Sequence, residues 1–200
     1  MSSSGSRDRI LDAALRLIRA RGDASVTMAR IAKAARLSRQ AVYLHFADRA
    51  ALMIAVSRRL RESLGLPADM QRVMNAPTGI KMIEDMVLMQ TRRNPDVWAV
   101  ARAVDAVRRT DPAAGRVWQD RLQSRLESCR AIVSRLKAEG SLRSGLDPSI
   151  AADLLWTMTS LRMWEDLVLE REWSPEQYQR YVTNVLLGAL TSSRSESAFP

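Results

Sequence analysis

Arg39 and Gln40 stand side by side in the segment LSRQAVYLHF (37–46). An arginine fork can pair bidentately with the acceptor edge of guanine, and a glutamine amide can do the same with adenine. Ala41 beside them suits a thymine methyl. Such contacts need a helix that enters a major groove while its other side packs against a neighbour. Val42 and Phe46 supply a packing side at i and i+4, leaving Arg39, Gln40, Tyr43 and His45 on other faces. Ser38 is placed to cap that helix.

Other chemistries are poorly supplied. With one His and one Cys there is no metal cluster and no histidine-based triad, and the eight glycines are scattered as turn and cap residues, with no phosphate-cradling loop among them. The expectation is a protein that is not an enzyme, with no cofactor and no metal. Cys129 lies on an apolar stripe with Leu122, Leu126, Val133 and Leu136, which argues for burial, whereas a redox sensor should be exposed beside cations.

The elements that must position the reading helix are legible upstream and downstream. Thr27 can cap a helix whose apolar face is Met28, Ile31, Ala32 and Ala35, and Arg36-Leu37 breaks that pattern. A first helix is expected over about Arg7–Arg21, with Ile10, Ala14, Leu17 and Ile18 on one face. A fourth is expected from near Asp48 to about Arg61. Charge is concentrated on the same region. Residues 1–60 hold 12 Lys+Arg against 4 Asp+Glu, while the rest of the chain holds 19 against 18. That asymmetry is the footprint of a phosphate-binding surface. A basic membrane-surface helix would pair its charges with a broad Leu/Phe/Trp face, and residues 1–60 hold one Phe, one Tyr and no Trp.

RILDAALRLIRARG (9–22), VTMARIAKAA (26–35), LSRQAVYLHF (37–46) and DRAALM (48–53), in that order, resemble the TetR family of bacterial transcription regulators. The resemblance spans roughly residues 7–60, and beyond them it rests on length and layout. It implies a helix-turn-helix at about 27–46 within a DNA-binding domain at 4–64. It also implies DNA-binding roles for Thr27, Ser38, Arg39, Gln40, Tyr43, His45 and Arg49, with Thr27, Tyr43, His45 and Arg49 on phosphates. Arg36 stands where the family usually has a turn glycine, and Leu44 where a polar or basic residue is common. A left-handed turn costs a non-glycine residue about 1 kcal/mol.

Further helices are expected at about 68–74, 79–92, 95–109, 113–139, 148–169 and 175–189, giving an all-α chain without internal repeats. The resemblance implies that 65–190 form a ligand-binding and dimerisation bundle. Its last two helices would make a four-helix interface with a second copy, through Leu154, Met158, Leu161, Tyr178, Val182 and Val185. A small-molecule pocket is expected around Met82, Met86, Met89, Trp98, Trp118 and Trp156, because methionine suits adaptable apolar cavities. Residues 1–6 and 191–200 are Ser-rich and polar and are expected to be disordered tails.

The expected function is a sequence-specific transcriptional regulator, a repressor released from a palindromic operator by a small, rather apolar ligand. The alternative is a DNA-binding protein without ligand sensing, constitutive or architectural. The expected partners are double-stranded DNA, a small-molecule effector and a second copy of the chain. A bacterial cytoplasmic location, nucleoid-associated when DNA-bound, agrees with the polar Met1–Ser6 start. The longest uncharged stretch, Tyr181–Ser193, is too short to cross a bilayer.

Overall fold

A computed structural model describes residues 3–21 and 26–192 of the chain. Among them lie α1 (Ser3–Arg21), α2 (Met28–Ala35), α3 (Arg39–His45), α4 (Arg49–Ser63), α5 (Leu66–Met74), α6 (Gly79–Arg108), α7 (Pro112–Ala138), α8 (Pro148–Met158), α9 (Leu161–Trp164) and α10 (Pro175–Leu190). The class is all-α as expected. The extended pairing seen among the described residues is an isolated antiparallel bridge between Leu142 and Thr191. No helix among them is long and apolar enough to cross a membrane.

The chain divides into two compact units, Met1–Leu66 with Pro95–Arg121, and Pro67–Asn94 with Leu122–Pro200. Residues 95–121, from the second half of α6 into α7, thus belong with the N-terminal helices. In the first unit Ala99, Val100, Ala103, Val104, Val107 and Ala114 are buried in the same core as Ile10, Ile18, Ile31, Val42, Leu52 and Val56. Small and β-branched side chains on α6 allow this close packing. Outside the core, Arg59 on α4 donates to Asp8 at 3.2 Å and Asp12 at 3.3 Å on α1.

In the second unit Gly79 begins α6 where a Cβ would lie 2.9 Å from the backbone nitrogen of Leu136. Glycine permits that approach, and the Gly79 amide donates to Glu139 Oε2 at 2.9 Å, a cap supplied from the end of α7. Asp69 on α5 accepts from Arg93 Nε on α6 at 2.6 Å and is also paired with Arg72. The Arg93 guanidinium holds its carboxyl below the ordinary carboxylate range.

Three expectations are corrected. The helices foreseen at 79–92 and 95–109 are one helix with Pro95 inside it. Pro95 deprives the Thr91 carbonyl of its i+4 donor but does not end the helix, whose flanks are held by packing in both units. The helix foreseen over 148–169 is interrupted after Met158. Thr159 turns its hydroxyl back to the Leu155 carbonyl at 2.6 Å, and Ser160 caps a new helix by accepting from Met163 N at 3.1 Å. That second helix, α9, runs into a π-helical turn, Glu165–Glu170. Finally, residues 3–6, expected in a tail, form the first turn of α1, which a nucleated helix adds at little cost. Thr191 and Ser192 are likewise ordered, with Ser192 N donating to the Ser141 carbonyl at 3.2 Å. The remainder of both tails, 1–2 and 193–200, lies outside the described residues, as does Gly22.

Candidate functional site

The helix-turn-helix is built by caps at each boundary. Thr27 Oγ1 accepts from Arg30 N at 3.4 Å to start α2, and Ser38 Oγ accepts from Ala41 N at 3.1 Å to start α3. Asp48 Oδ1 accepts from Ala51 N at 2.7 Å to start α4. Between α2 and α3 the chain turns at Arg36, which has φ 55° and ψ 46°. Its amide donates to Lys33 O at 3.2 Å, and Leu37 N donates to Ala32 O at 3.0 Å, the paired bonds of a Schellman ending. Arg36 therefore keeps the left-handed geometry that glycine would occupy without strain.

Inside, Ile31 and Ala32 of α2 meet Val42 and Phe46, all buried. Outside, Arg39, Gln40, Tyr43 and Leu44 are exposed along one side of α3. Their i, i+1, i+4, i+5 spacing makes this a continuous stripe, opposite the packing face. Leu44 is 81% exposed, an apolar side chain with no packing reason to be there. The sequence reading set Leu44 aside as a departure, yet its i+2 offset from buried Val42 was enough to place it on the open side. Arg39 lies over the Tyr43 ring, 5.6 Å from its centroid, and its Nη2 donates to Tyr43 Oη at 3.5 Å. Phe46 is covered from the other side by Arg7, 5.2 Å from the ring centroid.

The other DNA candidates surround this stripe. Thr27 and Ser38 use their oxygens as cap acceptors, and each hydroxyl keeps its proton to donate outward. His45 is the half-buried last residue of α3, and Arg49 is the half-buried first residue of α4.

The six pocket candidates divide between the two units. Trp98 and Trp118 pack against the core of the first unit, where Arg108 and Arg121 lie 5.0 and 5.5 Å from the Trp118 centroid. Met82 and Met86 are buried in the second unit, with Met89 half-buried beside them. Trp156, also in the second unit, donates its indole N–H to the Leu122 carbonyl at 3.4 Å and lies under the Arg125 guanidinium, 5.2 Å away.

The interface candidates also separate. Tyr178 and Val182 are 0% and 2% exposed, so they close the unit's own core. Met158 and Leu161 are half-buried, whereas Leu154 and Val185 are exposed. The outward sides of the packed pair α8 and α10 carry Ile150, Leu154, Tyr181 and Val185, each at least 40% exposed. The stripe expected on α10 therefore divides, with Tyr178 and Val182 in the core and Val185 outside it. Tyr181 and Val185 form the outer row, offset by three residues from Tyr178 and Val182.

Residues 10–56 match the family described as bacterial regulatory proteins, tetR family. No curated protein matches the chain. Several solved structures share its fold. NalD, the secondary repressor of the MexAB-OprM multidrug efflux pump in Pseudomonas aeruginosa, has a TM-score of 0.72 at 21% identity, covering 98% of this chain and 100% of its own. SmeT, repressor of the Stenotrophomonas maltophilia pump SmeDEF, solved as a triclosan complex, has a TM-score of 0.69 at 20% identity, covering 94% and 93%. A protein described as a transcriptional regulator from Saccharomonospora viridis, solved with choline, has a TM-score of 0.79 at 19% identity, covering 95% and 100%.

Proposed function

We propose that this chain, whose residues 10–56 match the tetR family of bacterial regulatory proteins, is a ligand-responsive repressor that binds a palindromic operator as a homodimer. The observation that carries the reading is the exposed stripe on α3, with Arg39 and Gln40 at its start and Tyr43 and Leu44 one turn on. Arg39 and Gln40 read base edges, and Leu44 joins Ala41 as an apolar contact for thymine methyls. Thr27, Ser38, Tyr43, His45 and Arg49 fix the register on phosphates.

One such helix reads a few base pairs, so two copies are needed for a useful operator. Ile150, Leu154, Tyr181 and Val185 supply the facing surface, an apolar patch that a lone chain would leave in water. The efflux repressors NalD and SmeT support the repressor reading, and the triclosan and choline complexes support a small-molecule effector. That effector binds the second unit through its apolar interior and favours a state with lower DNA affinity. This requires only that it bind the two states unequally. The protein acts in the bacterial cytoplasm, on the nucleoid when bound.

Selection of random duplex DNA by the purified protein at two salt concentrations tests this. The expected result is an enriched palindrome with half-sites in register with the helical repeat. Salt-sensitive binding with no enriched sequence would instead favour an architectural DNA-binding protein.

A further inference from the structure

The break after Met158 leaves carbonyls at the end of α8 without helical donors, and two side chains from other helices converge on them. Gln90 Nε2 on α6 donates to the Thr159 carbonyl at 2.9 Å. Arg125 Nη2 on α7 donates to the same carbonyl at 3.0 Å and to Trp156 O at 2.8 Å. Both arginine bonds use Nη2, and neither involves Nη1 or Nε.

Arg125 is half-buried, and none of its hydrogen bonds goes to a carboxylate. The groups that face it are neutral. Burial pushes the Cys129 thiol up to about 11 and the Tyr178 phenol up to about 12, so both keep their protons at neutral pH. The end of α8 offers only partial negative charge. A half-buried cation that faces only neutral groups and the Trp156 ring, with Nη1 and Nε not engaged by the protein, is a ready partner for an anion.

Polar atoms nearby also await partners. Tyr178 is fully buried, close enough to Arg125 for its hydroxyl to respond to that charge, and the hydroxyl has no hydrogen-bond partner. Gln90 Oε1 and Asn94 Nδ2, one turn apart on α6, are buried and unpartnered as well. A buried polar group without a partner is costly, so three in one unit point to something that pairs with them. Met82 and Met86 continue the same α6 face as Gln90 and Asn94, two turns of adaptable apolar surface.

We infer that the second unit binds a small molecule with a carboxylate head on an apolar body. Arg125 and the Tyr178 hydroxyl take the head, and the Met82–Met86 face of α6 takes the body. This rests on the reading of that unit as the effector-binding part, and it refines the apolar ligand foreseen from the sequence to an amphipathic acid. Two free guanidinium nitrogens and a phenol O–H are the donors a carboxylate needs. Asn94 adds a further donor along the helix, and Gln90 Oε1 accepts from a ligand hydroxyl.

Matched pairs test it on the full-length protein. 1-Naphthoate with 1-naphthamide, and decanoate with decanamide, are titrated at neutral pH, reading thermal stability and tryptophan fluorescence. The acids are expected to raise the melting temperature and to bind at least about tenfold tighter than their amides. Arg125→Met should erase that discrimination, Arg125→Lys should keep part of it, and Tyr178→Phe should weaken the acids alone. Amides binding as well as acids would overturn the inference. So would an acid preference that survives in Arg125→Met, or no binding by any acid up to its solubility. If Arg125→Met does not fold, the matched pairs and Tyr178→Phe decide. Acids that bind without releasing selected DNA would uphold this site and overturn ligand control of the operator. DNA selection that succeeds with no acid bound would do the reverse.

Discussion

The guanidinium of Arg39 lies over the ring of Tyr43, 5.6 Å from its centroid, one turn along the exposed face of α3. A cation held on an aromatic face loses less side-chain freedom when it meets a base than one waving in water. In the proposed complex the phenol serves two purposes, as a platform for Arg39 and as a phosphate contact.

Arg39→Lys should therefore weaken specific binding by about 1–3 kcal/mol while leaving the salt dependence almost unchanged, because charge is kept and bidentate geometry is lost. Arg39→Ala should lose the same base preference and also lower the salt slope. Binding to the selected operator across a salt series separates the two.

Arg36→Gly should stabilise the chain. Arg36 holds φ 55° with its Schellman bonds made, so the glycine variant removes about 1 kcal/mol of strain, offset in part by the greater freedom of glycine in the unfolded chain. Denaturant titration should show a higher midpoint at unchanged slope. A lower midpoint would mean that the Arg36 side chain contributes more than its backbone costs.

Val185→Glu should prevent dimerisation. Val185 is 52% exposed on the outer side of α10, so the substitution should leave the fold intact and place charge in an apolar contact. Sedimentation should show a monomer, with operator affinity falling steeply because each half-site must then bind alone. Val182→Glu, at 2% exposure, should unfold the unit instead.

Alkaline pH should destabilise the second unit. Cys129 rises from an ordinary 9.0 to about 11, and Tyr178 from 10.0 to about 12, both chiefly through burial. Each is an acid held neutral in the folded state, so its contribution is complete below pH 9 and is lost as pH rises through the folded values. The loss should reach roughly 2–3 kcal/mol per group. Melting temperature against pH should fall from about pH 9 upward, and Cys129→Ala should flatten the first part of that fall.

Local chemistry fixed much of this molecule. Thr27 and Ser38 each cap the helix they were placed to open, and Asp48, Asp147 and Ser174 cap theirs by the same chemistry, because a cap needs only a side-chain oxygen a few residues from free amides. The packing face of α3 followed from Val42 and Phe46, and the residues opposite them followed in turn. Burial of Cys129 was legible from the apolar residues spaced around it.

Tertiary structure decided what depends on partners far away in sequence. Pro95 reads locally as a stop, and only the packing on either side of it keeps α6 whole. Tyr178 and Tyr181 are equally apolar by type. Which one lines the core depends on how α10 is rotated against its neighbours, and a periodic stripe does not supply that angle. In the sequence Arg125 is a cation one helical turn before Cys129, with nothing to mark its partners. Its partners are the carbonyls of Trp156 and Thr159, more than thirty residues on, exposed by a helix break that the sequence reading passed over. Spacing along a chain determines which residues share a face, whereas the free energy of burial, summed over the whole core, determines where that face points.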